Sequence, residues 1–410
     1  MEISGTGAGA VQPGAGQNTS VPHQRGLNQS WSEQRYPGQA DKVPTGGGFC
    51  SVELARQLGA MEVSPGLLQH QSEYPYPVMA GEGAVGRCIV ETAAELACLP
   101  AASVTRLVVL DTETTGLAGG TGTLPFLTGI VTCDGAGVTL KQWLVTRFEG
   151  EAAMLYALAD VMQPGDLLLT YNGKTFDVPL LQTRARLERV ALDLERLPHL
   201  DLLHLVRKAF ARRWPDCKLQ TAERRLLHLH RDEDITGADI PSVWFDWMRF
   251  GHYDGLISVV RHNRLDLINL AALVECMAHV FAQPGLYGAR ITATGRHHAL
   301  SEAQLLERLL DASDCLDAAE RLELARLARR AGQWDVAIKT WHQLAAANHP
   351  QAIEHLAKFH EHRQRDIKAA LVETTRLIEL EGRKPAHQHR ESRLRAKLNR
   401  MDARLLDESA

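Results

Sequence analysis

The sequence lacks several features that would place it in a specialised class of protein. Its 410 residues contain seven scattered cysteines and no Cys-x-x-Cys pair, so neither a disulfide framework nor a zinc site is predicted. No stretch reaches the roughly 18 consecutive apolar residues of a membrane-spanning helix. The net charge of −4, from 45 Lys plus Arg against 49 Asp plus Glu, excludes a histone-like polycation. Since the chain also begins without the pattern of a signal peptide, we expect a cytoplasmic protein that does not enter a membrane.

Composition divides the chain into four segments. Residues 1–48 contain ten glycines and few aliphatic side chains, which predicts a disordered tail because such a segment buries too little apolar surface to fold. Residues 49–105 combine one short helical stretch with a proline-punctuated run, and we expect an irregular extension there. Patterns typical of strands and helices occupy residues 106–284. Helix formers with leucines at helical spacing dominate residues 300–400.

The segment 106–284 has the pattern of an α/β domain. An apolar run at 107–110 is followed by two further strand patterns that are joined by the turn 134–137. After these three sequential strands, short apolar runs alternate with helical stretches, and a long helix is predicted from about 254 to 281. Antiparallel strands followed by strand–helix alternation predict a mixed sheet flanked by helices.

The segment 300–400 is predicted to be entirely helical. Asp335 and Asp366 stand at similar helix starts and are 31 residues apart, which is a weak internal repeat. The spacing indicates tetratricopeptide-like helical hairpins, although the full pattern of such repeats is absent. We expect this region to bind a protein partner or to guide a substrate.

The first motif that carries chemistry is Asp111-Thr112-Glu113, at the end of an apolar strand. Because side chains alternate along a strand, Asp111 and Glu113 point to the same face. Two carboxylates on one face repel each other unless a cation lies between them, so the pair suits a divalent metal ion. A helix cap or a polar turn is the alternative interpretation.

The second motif runs from Tyr171 to Asp177 and links a short strand to a helix. Asp177 stands where an acidic residue often only caps the helix, so a structural role is the alternative to a chemical one. The run 173–175, Gly-Lys-Thr, imitates the end of a phosphate-binding loop. Leu168 occupies the position of that loop's first glycine, and nucleotide cradling is therefore rejected.

The third motif is His262 and Asp266 inside the long helix. The two residues are one turn apart and share a face. They form either a simple surface pair or, if the carboxylate faces a metal ion, a general base for water beside a metal ligand.

Together, in this order and in these settings, the three motifs resemble the DEDD group of 3′-to-5′ exonucleases, which have the ribonuclease H-like fold. Four stretches narrow the resemblance to the YprB-like ribonuclease H-like domain family over roughly residues 106–280, and the helical tail is also typical of that family. These stretches are 110–117, 119–122, 171–177 and 199–204.

The resemblance implies a catalytic site and a cofactor. It implies two Mg²⁺ or Mn²⁺ ions about 4 Å apart, a spacing used for in-line displacement at phosphorus. His262 is the candidate base, although its four-position spacing from Asp266 is that of Tyr-type members. Asp201 is either a further ligand or a positioning residue. The four implied metal ligands are Asp111, Glu113, Asp177 and Asp266.

A nuclease also needs cations around its acidic site to hold a polyanion. The chain offers residues near the second motif for this role, although most arginines on helices are merely solvated. Tryptophans 214, 244 and 247 either stack on bases or pack in the core. The predicted nucleic-acid contacts are Asn172, Lys174, Arg184 and Arg207.

The predicted function is 3′-to-5′ hydrolysis of phosphodiester bonds at single-stranded ends of DNA or RNA. Two alternatives remain open: a structure-specific endonuclease of the same fold, and a scaffold that binds nucleic acid or protein without catalysis.

Overall fold

A computed structural model describes residues 51–116, 122–231 and 234–407, with side chains described up to residue 403. All of these residues belong to a single unit of the chain. The predicted disordered tail, residues 1–48, and the glycine-rich stretch 119–122, apart from Gly122, lie outside the described residues.

The described residues contain nine strands. Seven of them form one sheet in the order β1-β2-β7-β6-β5-β8-β9, and β3 pairs with β4 in a separate ribbon. The strands are β1 (Met61–Ser64), β2 (Leu67–Tyr74), β3 (Val78–Ala80), β4 (Gly83–Val85), β5 (Arg106–Thr114), β6 (Pro125–Cys133), β7 (Val138–Val145), β8 (Asp166–Thr170) and β9 (His199–Asp201).

Helices flank the sheet and form the whole of the last third of the chain. They are α1 (Ser51–Leu58), α2 (Ile89–Leu96), α3 (Gly150–Val161), α4 (Asp177–Glu188), α5 (Leu202–Phe210), α6 (Leu219–Ala222), α7 (Ile240–Phe250), α8 (Asp254–Ala282), α9 (Ile291–His297), α10 (Glu302–Asp311), α11 (Ala318–Arg330), α12 (Trp334–Ala346), α13 (Pro350–Phe359), α14 (Ile367–Glu381) and α15 (Pro385–Asp407). The predicted mixed sheet flanked by helices, followed by a helical region, is confirmed.

The direction of the strands gathers several strand ends at one edge of the sheet. Strand β5 is antiparallel to β6, and β6 is antiparallel to β7. Strands β5, β8 and β9 are mutually parallel. The carboxyl ends of β5, β7, β8 and β9 therefore lie at the same edge, which is where parallel sheets usually place their functional residues.

The predicted irregular extension at 49–105 is wrong. Strand β2 pairs with β7 along its whole length, from Leu67 opposite Val145 to Tyr74 opposite Val138, and β1 extends the sheet beyond β2. Helix α2 packs against α8. The sequence of β2, LLQHQSEY, has too few apolar residues to show a strand pattern. It forms a strand because β7 supplies the hydrogen-bonding partner.

Helix α8 lies directly on the sheet because one residue beneath it has no side chain. Gly129 of β6 pairs with Asp111 of β5. A Cβ atom at Gly129 would lie 2.1 Å from Oδ1 of Asn263 and 2.6 Å from Cδ1 of Leu267, both on α8. Glycine at this position therefore lets Asn263 reach the end of β5.

Helix α8 is also long and apolar enough to cross a membrane, as judged by length and composition alone. The sequence interpretation had identified no such segment. In the structure 61% of its most apolar window is buried within the protein. Such burial is typical of the central helix of a folded domain. Length and composition alone are therefore weak evidence for a membrane span.

The helical region is joined to the sheet domain by a partly buried arginine, Arg213. The Arg213 guanidinium forms ion pairs with Glu320 and Asp317 and donates to the Gly288 carbonyl at 2.7 Å. Glu320, which is 1% exposed, also accepts a hydrogen bond from the Thr292 amide. From α11 onward each helix packs on the next. The predicted helical region is thus confirmed, whereas its tetratricopeptide-like character stays a prediction.

Candidate active site

The three sequence motifs meet at the edge of the sheet where β5 and β8 end. Asp111 and Glu113 stand on the last part of β5, and Asp177 is the first residue of α4, which follows β8 after a tight turn. His262 and Asp266 lie on α8, which crosses the sheet at this point. Residues from three separate elements therefore form one acidic cluster.

Asp111 is held by a chain of amide hydrogen bonds. The Asn263 side-chain amide donates to Oδ2 of Asp111 at 2.7 Å, and Gln142 of β7 donates to Oδ1 of Asn263 at 2.8 Å. Gln142 also donates to the Val260 carbonyl at 2.9 Å. Because all three side chains are fixed by one another, the position of Asp111 is determined by β7 and α8 together. Asn263 and Gln142 were missed by the sequence interpretation.

Asp177 is fixed from the other side of β5. Its carboxylate accepts a hydrogen bond from the hydroxyl group of Thr112, the residue between Asp111 and Glu113. The carboxylate is buried, as is Thr112. An N-terminal helical position alone would leave Asp177 exposed to solvent, so its inward orientation supports a chemical role more than a simple capping role.

His262 faces two of the predicted metal ligands. Its Nε2 atom lies 3.6 Å from Oδ2 of Asp266 and 3.8 Å from Oε1 of Glu113. Its Nδ1 atom lies 2.9 Å from Oδ2 of Asp234, which the sequence interpretation did not identify. Asp234 thereby orients the imidazole ring so that Nε2 points at the carboxylates.

Arg231 is a second residue that the sequence interpretation missed. Its guanidinium forms ion pairs with Asp266 at 2.5 Å, with Asp234 at 3.0 Å and with Glu223. The Arg231 side chain is 9% exposed and that of Glu223 is 1% exposed. The signal that was available was a run of charged residues, 230–234, without any apolar periodicity.

Burial and crowding of like charges dominate the electrostatics of the cluster. Burial, followed by the charges of Asp266 and Asp177, raises the pKa of Asp111 well above its usual range. Burial and the charge of Asp111 do the same for the pKa of Glu113. Burial raises the pKa of Asp177 to about 6. These carboxylates therefore favour a nearby cation or a proton.

His262 experiences two opposing effects. Burial lowers the pKa of His262, but the hydrogen bond with Asp234 and the charge of Asp266 outweigh burial and raise it overall. The imidazole group thus readily accepts a proton in the environment that the cluster creates.

The donor set of the cluster fits divalent cations. Among the described residues, six carboxylates (Asp111, Glu113, Asp177, Glu223, Asp234 and Asp266) stand against two basic groups, Arg231 and His262. The acidic groups thus outnumber the basic groups by four, and oxygen ligands of this kind suit Mg²⁺ or Mn²⁺. Within residues 51–116, 122–231 and 234–407, no three acidic, histidine or cysteine side chains are already arranged to hold an ion.

Asp201 has the positioning role that was one of its two predicted roles. Its Oδ1 atom accepts hydrogen bonds from the backbone amides of Asn172 at 2.8 Å and Leu203 at 3.1 Å, and its Oδ2 atom accepts one from the amide of Lys174 at 3.1 Å. Asp201 is 3% exposed. Because backbone amides engage both of its oxygens, Asp201 fixes the turn before Asp177, and the structure does not support it as a metal ligand.

The predicted nucleic-acid contacts fall into two groups. Asn172, Lys174 and Arg207 are exposed. Arg184 instead forms an ion pair with Glu151 and is 16% exposed, so it packs α4 against α3. The prediction of Arg184 as a nucleic-acid contact is therefore corrected: its charge is already neutralised inside the protein.

The tryptophans mostly belong to the core. Trp244 and Trp247 are buried and donate hydrogen bonds to the carbonyls of Val145 and Thr146, each at 2.9 Å. Trp214 is half-buried and stacks on Phe210 with 3.9 Å between ring centroids. Base stacking by Trp244 and Trp247 is excluded by their burial.

Comparison with known proteins agrees with this arrangement. Residues 108–278 match the RNase H superfamily. The chain is also 31% identical, over 278 residues, to the uncharacterized protein YprB of Bacillus subtilis (strain 168), and the match covers 65% of this chain and 67% of YprB. Residues 108–278 therefore form a domain of the RNase H superfamily, whose fold is typical of nucleases, and the chain belongs to the family of YprB-like proteins.

The family B DNA polymerase from the hyperthermophilic archaeon Pyrobaculum calidifontis aligns with a TM-score of 0.34 and 18% identity. The alignment covers 51% of this chain and 29% of the polymerase.

The stability of the metal-free protein is expected to fall as the pH rises from about 4, the ordinary carboxyl pKa, through about 6, the native pKa of Asp177. Because the native pKa values of Asp111, Glu113 and Asp177 are raised, the native state binds more protons than the unfolded state in this window. Stability is therefore highest on the acidic side and is lost on deprotonation. Differential scanning fluorimetry in a chelator measures this slope.

Divalent ions provide the control for this pH dependence. Since Mn²⁺ binds the ionised carboxylates of the native state, it should raise the melting temperature more at pH 8 than at pH 6. The variant Asp177→Asn should flatten the slope of the metal-free protein. An equal effect of Mn²⁺ at both pH values would contradict the assigned cluster.

Proposed function

We propose that this chain is a metal-dependent nuclease that removes nucleotides from the 3′ end of single-stranded DNA or RNA in the cytoplasm. The observation that carries the proposal is the acidic cluster: Glu113 and Asp266 face Nε2 of His262, and the charges of Asp266 and Asp177 act on the neighbouring Asp111. An RNase H-like fold supports nuclease chemistry in general, and the cluster supports hydrolysis of a phosphodiester at this edge of the sheet.

The four carboxylates would hold Mg²⁺ or Mn²⁺, which when bound activates water and stabilises the charge on the leaving oxygen. Asn263 and Thr112 keep two of the four carboxylates, Asp111 and Asp177, turned toward the cluster. The ion pair with Arg231 keeps Asp266 in place. The residues of the chain thus preorganise the site before substrate arrives.

His262 is suited to accept the proton of the attacking water at Nε2. Its Nδ1 side is fixed by Asp234, which leaves Nε2 directed at Glu113 and Asp266. The raised pKa of His262 favours proton acceptance. Asp234 acts through His262 and is therefore a positioning residue.

The test is cleavage of single-stranded DNA and RNA oligonucleotides that carry a fluorophore at one end. With a 5′ label, a 3′-to-5′ exonuclease yields a ladder that shortens stepwise in Mg²⁺ or Mn²⁺. With a 3′ label, it releases labelled mononucleotide at once. A chelator should abolish both reactions.

A circular single-stranded substrate is the matched control, because it has no end. An exonuclease leaves the circle intact, whereas a structure-specific endonuclease cuts it. Cleavage of the circle would replace the exonuclease proposal with the endonuclease alternative. Absence of cleavage on every substrate would leave a binding scaffold. A protein partner for the helical region stays a prediction.

A further inference from the structure

A groove adjoins the turn that leads into Asp177. It encloses about 580 Å³ and lies between the end of β8 and helix α5. This volume is in the range of sites that bind small ligands. The residues that line it include Tyr171, Asn172, Arg207, Trp214 and Lys218.

The groove carries two cations, Arg207 and Lys218, and one acid, Asp216. In the part of the chain that the structure describes, neither Arg207 nor Lys218 forms an ion pair, and both are exposed. The one acid that lines the groove, Asp216, accepts hydrogen bonds from the Thr221 hydroxyl at 2.5 Å and from the Lys218 backbone amide at 3.1 Å. Its carboxylate caps its own loop and also interacts with the charge of Lys218, so the groove keeps one net positive charge for an anion.

The neighbouring arginines behave differently. Arg184 is paired with Glu151, and Arg213 is paired with Glu320. Both are largely buried, and their charges serve to hold helices together. Arg207 and Lys218 differ from them in having solvent on one side and a concave surface on the other.

The aromatic wall of the groove is already occupied. Trp214 stacks on Phe210 with an interplanar angle of 7°, and the Arg225 guanidinium lies 5.4 Å from the centroid of the indole ring. The Tyr171 hydroxyl donates to the Cys217 carbonyl at 2.6 Å. Because these rings are engaged within the protein, the groove is suited to recognise phosphate rather than a stacked base.

The groove and the acidic cluster are rigidly connected. Asn172 lines the groove, and Asp177, five positions later, belongs to the cluster. The turn between them is fixed by Asp201 and by a hydrogen bond from the Thr175 amide to the Asn172 carbonyl at 3.2 Å. The groove therefore adjoins the turn that leads into Asp177, and this turn is held in one conformation.

We infer that this groove binds the sugar-phosphate backbone of the substrate strand, with Arg207 and Lys218 each contacting a phosphate near the scissile bond. The inference rests on the proposed nuclease function and names the part of the substrate that the chain holds. Since the contacts are to phosphate, binding is independent of base sequence. It also depends strongly on salt, because each contact releases counterions.

The test measures oligonucleotide binding by the full chain carrying Asp111→Asn. This variant is expected not to cleave the bound strand. A fluorescein-labelled oligothymidylate is titrated in Mg²⁺ by fluorescence anisotropy at several salt concentrations. Adding Arg207→Gln and Lys218→Gln should raise Kd at least about tenfold at low salt. It should also reduce the slope of log K against log salt by about 1.4, because two single-strand contacts are lost.

A matched control removes two positive charges elsewhere. Arg186→Gln with Arg196→Gln changes the same net charge on exposed residues outside the groove, at side-chain exposures of 70% and 88%. This control should keep the slope and Kd of the parent. Equal effects of the two double variants would overturn the inference, since only net charge would then matter. Melting temperatures, and the two single substitutions, show whether the fold is retained.

The outcomes also separate this inference from the proposed function. If binding depends on Arg207 and Lys218 but the unsubstituted chain does not cleave, the groove inference would be supported. The nuclease proposal would be rejected. If the chain cleaves oligonucleotides but the salt dependence of binding is the same with and without Arg207 and Lys218, the groove inference would be rejected. The nuclease proposal would then stand. Displacement of the oligonucleotide by an equal concentration of thymidine monophosphate would reject the strand as ligand in favour of a free nucleotide.

Discussion

The variant Asp111→Asn is expected to lose metal-dependent cleavage of single-stranded oligonucleotides by about a thousandfold or more. The asparagine side chain keeps an oxygen that accepts the hydrogen bond of Asn263, so the local structure is retained while the negative charge is removed. Asp177→Asn should behave in the same way, because its amide oxygen can accept from Thr112. Initial rates with the 5′-labelled oligonucleotide measure both effects.

In the absence of metal ions, both variants should be at least as stable as the parent protein. Each removes a carboxylate whose pKa is raised by burial, and with it an unfavourable buried charge. Asp160→Asn, an exposed residue of α3, is the matched control and should cleave at the parental rate. Parental cleavage by both Asp111→Asn and Asp177→Asn would refute the assignment of the acidic cluster as the active site.

The variant Arg231→Met is expected to lower the free energy of unfolding by about 3–5 kcal/mol near neutral pH. It removes the guanidinium that is shared by Glu223, Asp234 and Asp266 and leaves these charges without their partner. Glu223 is almost completely buried and cannot regain its hydration. Urea denaturation of the metal-free protein measures the loss.

Two further variants define the cause of that loss. Arg231→Lys keeps the charge without the forked geometry, and its stability should lie between those of Arg231→Met and the parent. Adding Glu223→Gln to Arg231→Met should recover part of the loss, because one unpaired charge is then removed. A loss below about 1 kcal/mol for Arg231→Met would show that the ion pairs are not a structural centre of the site.

Much of the site follows from short-range rules. The alternation of side chains along β5 places Asp111 and Glu113 on one face of the strand. Helical spacing places His262 and Asp266 on one face of α8. The edge at which they meet follows from the parallel pairing of β5 and β8, which strand–helix alternation predicts. These inferences depend only on neighbours in sequence and on the order of elements, so they can be made without coordinates.

The residues that complete the site depend on distant contacts. Asp234 and His262 are 28 positions apart, and Gln142 and Asn263 are 121 apart. No local pattern links such pairs, and Arg231 and Asp234 lie in a segment without helical or strand periodicity. Strand β2 was missed for a related reason: its partner β7 decides its conformation, whereas its own composition is polar.

The ion pairs of Arg213 affect what happens when the chain is cut between the sheet domain and the helical region. A protease that cuts between α8 and α9 would separate Arg213 from the α11 carboxylate, and Ala209 from the Arg290 amide that donates to its carbonyl at 2.9 Å. Glu320 would then have to leave a position in which it is 1% exposed. The sheet domain released in this way would carry a newly uncovered charged surface. We therefore expect the sheet domain and the helical region to unfold together, because Arg213 and the buried Glu320 hold them against each other.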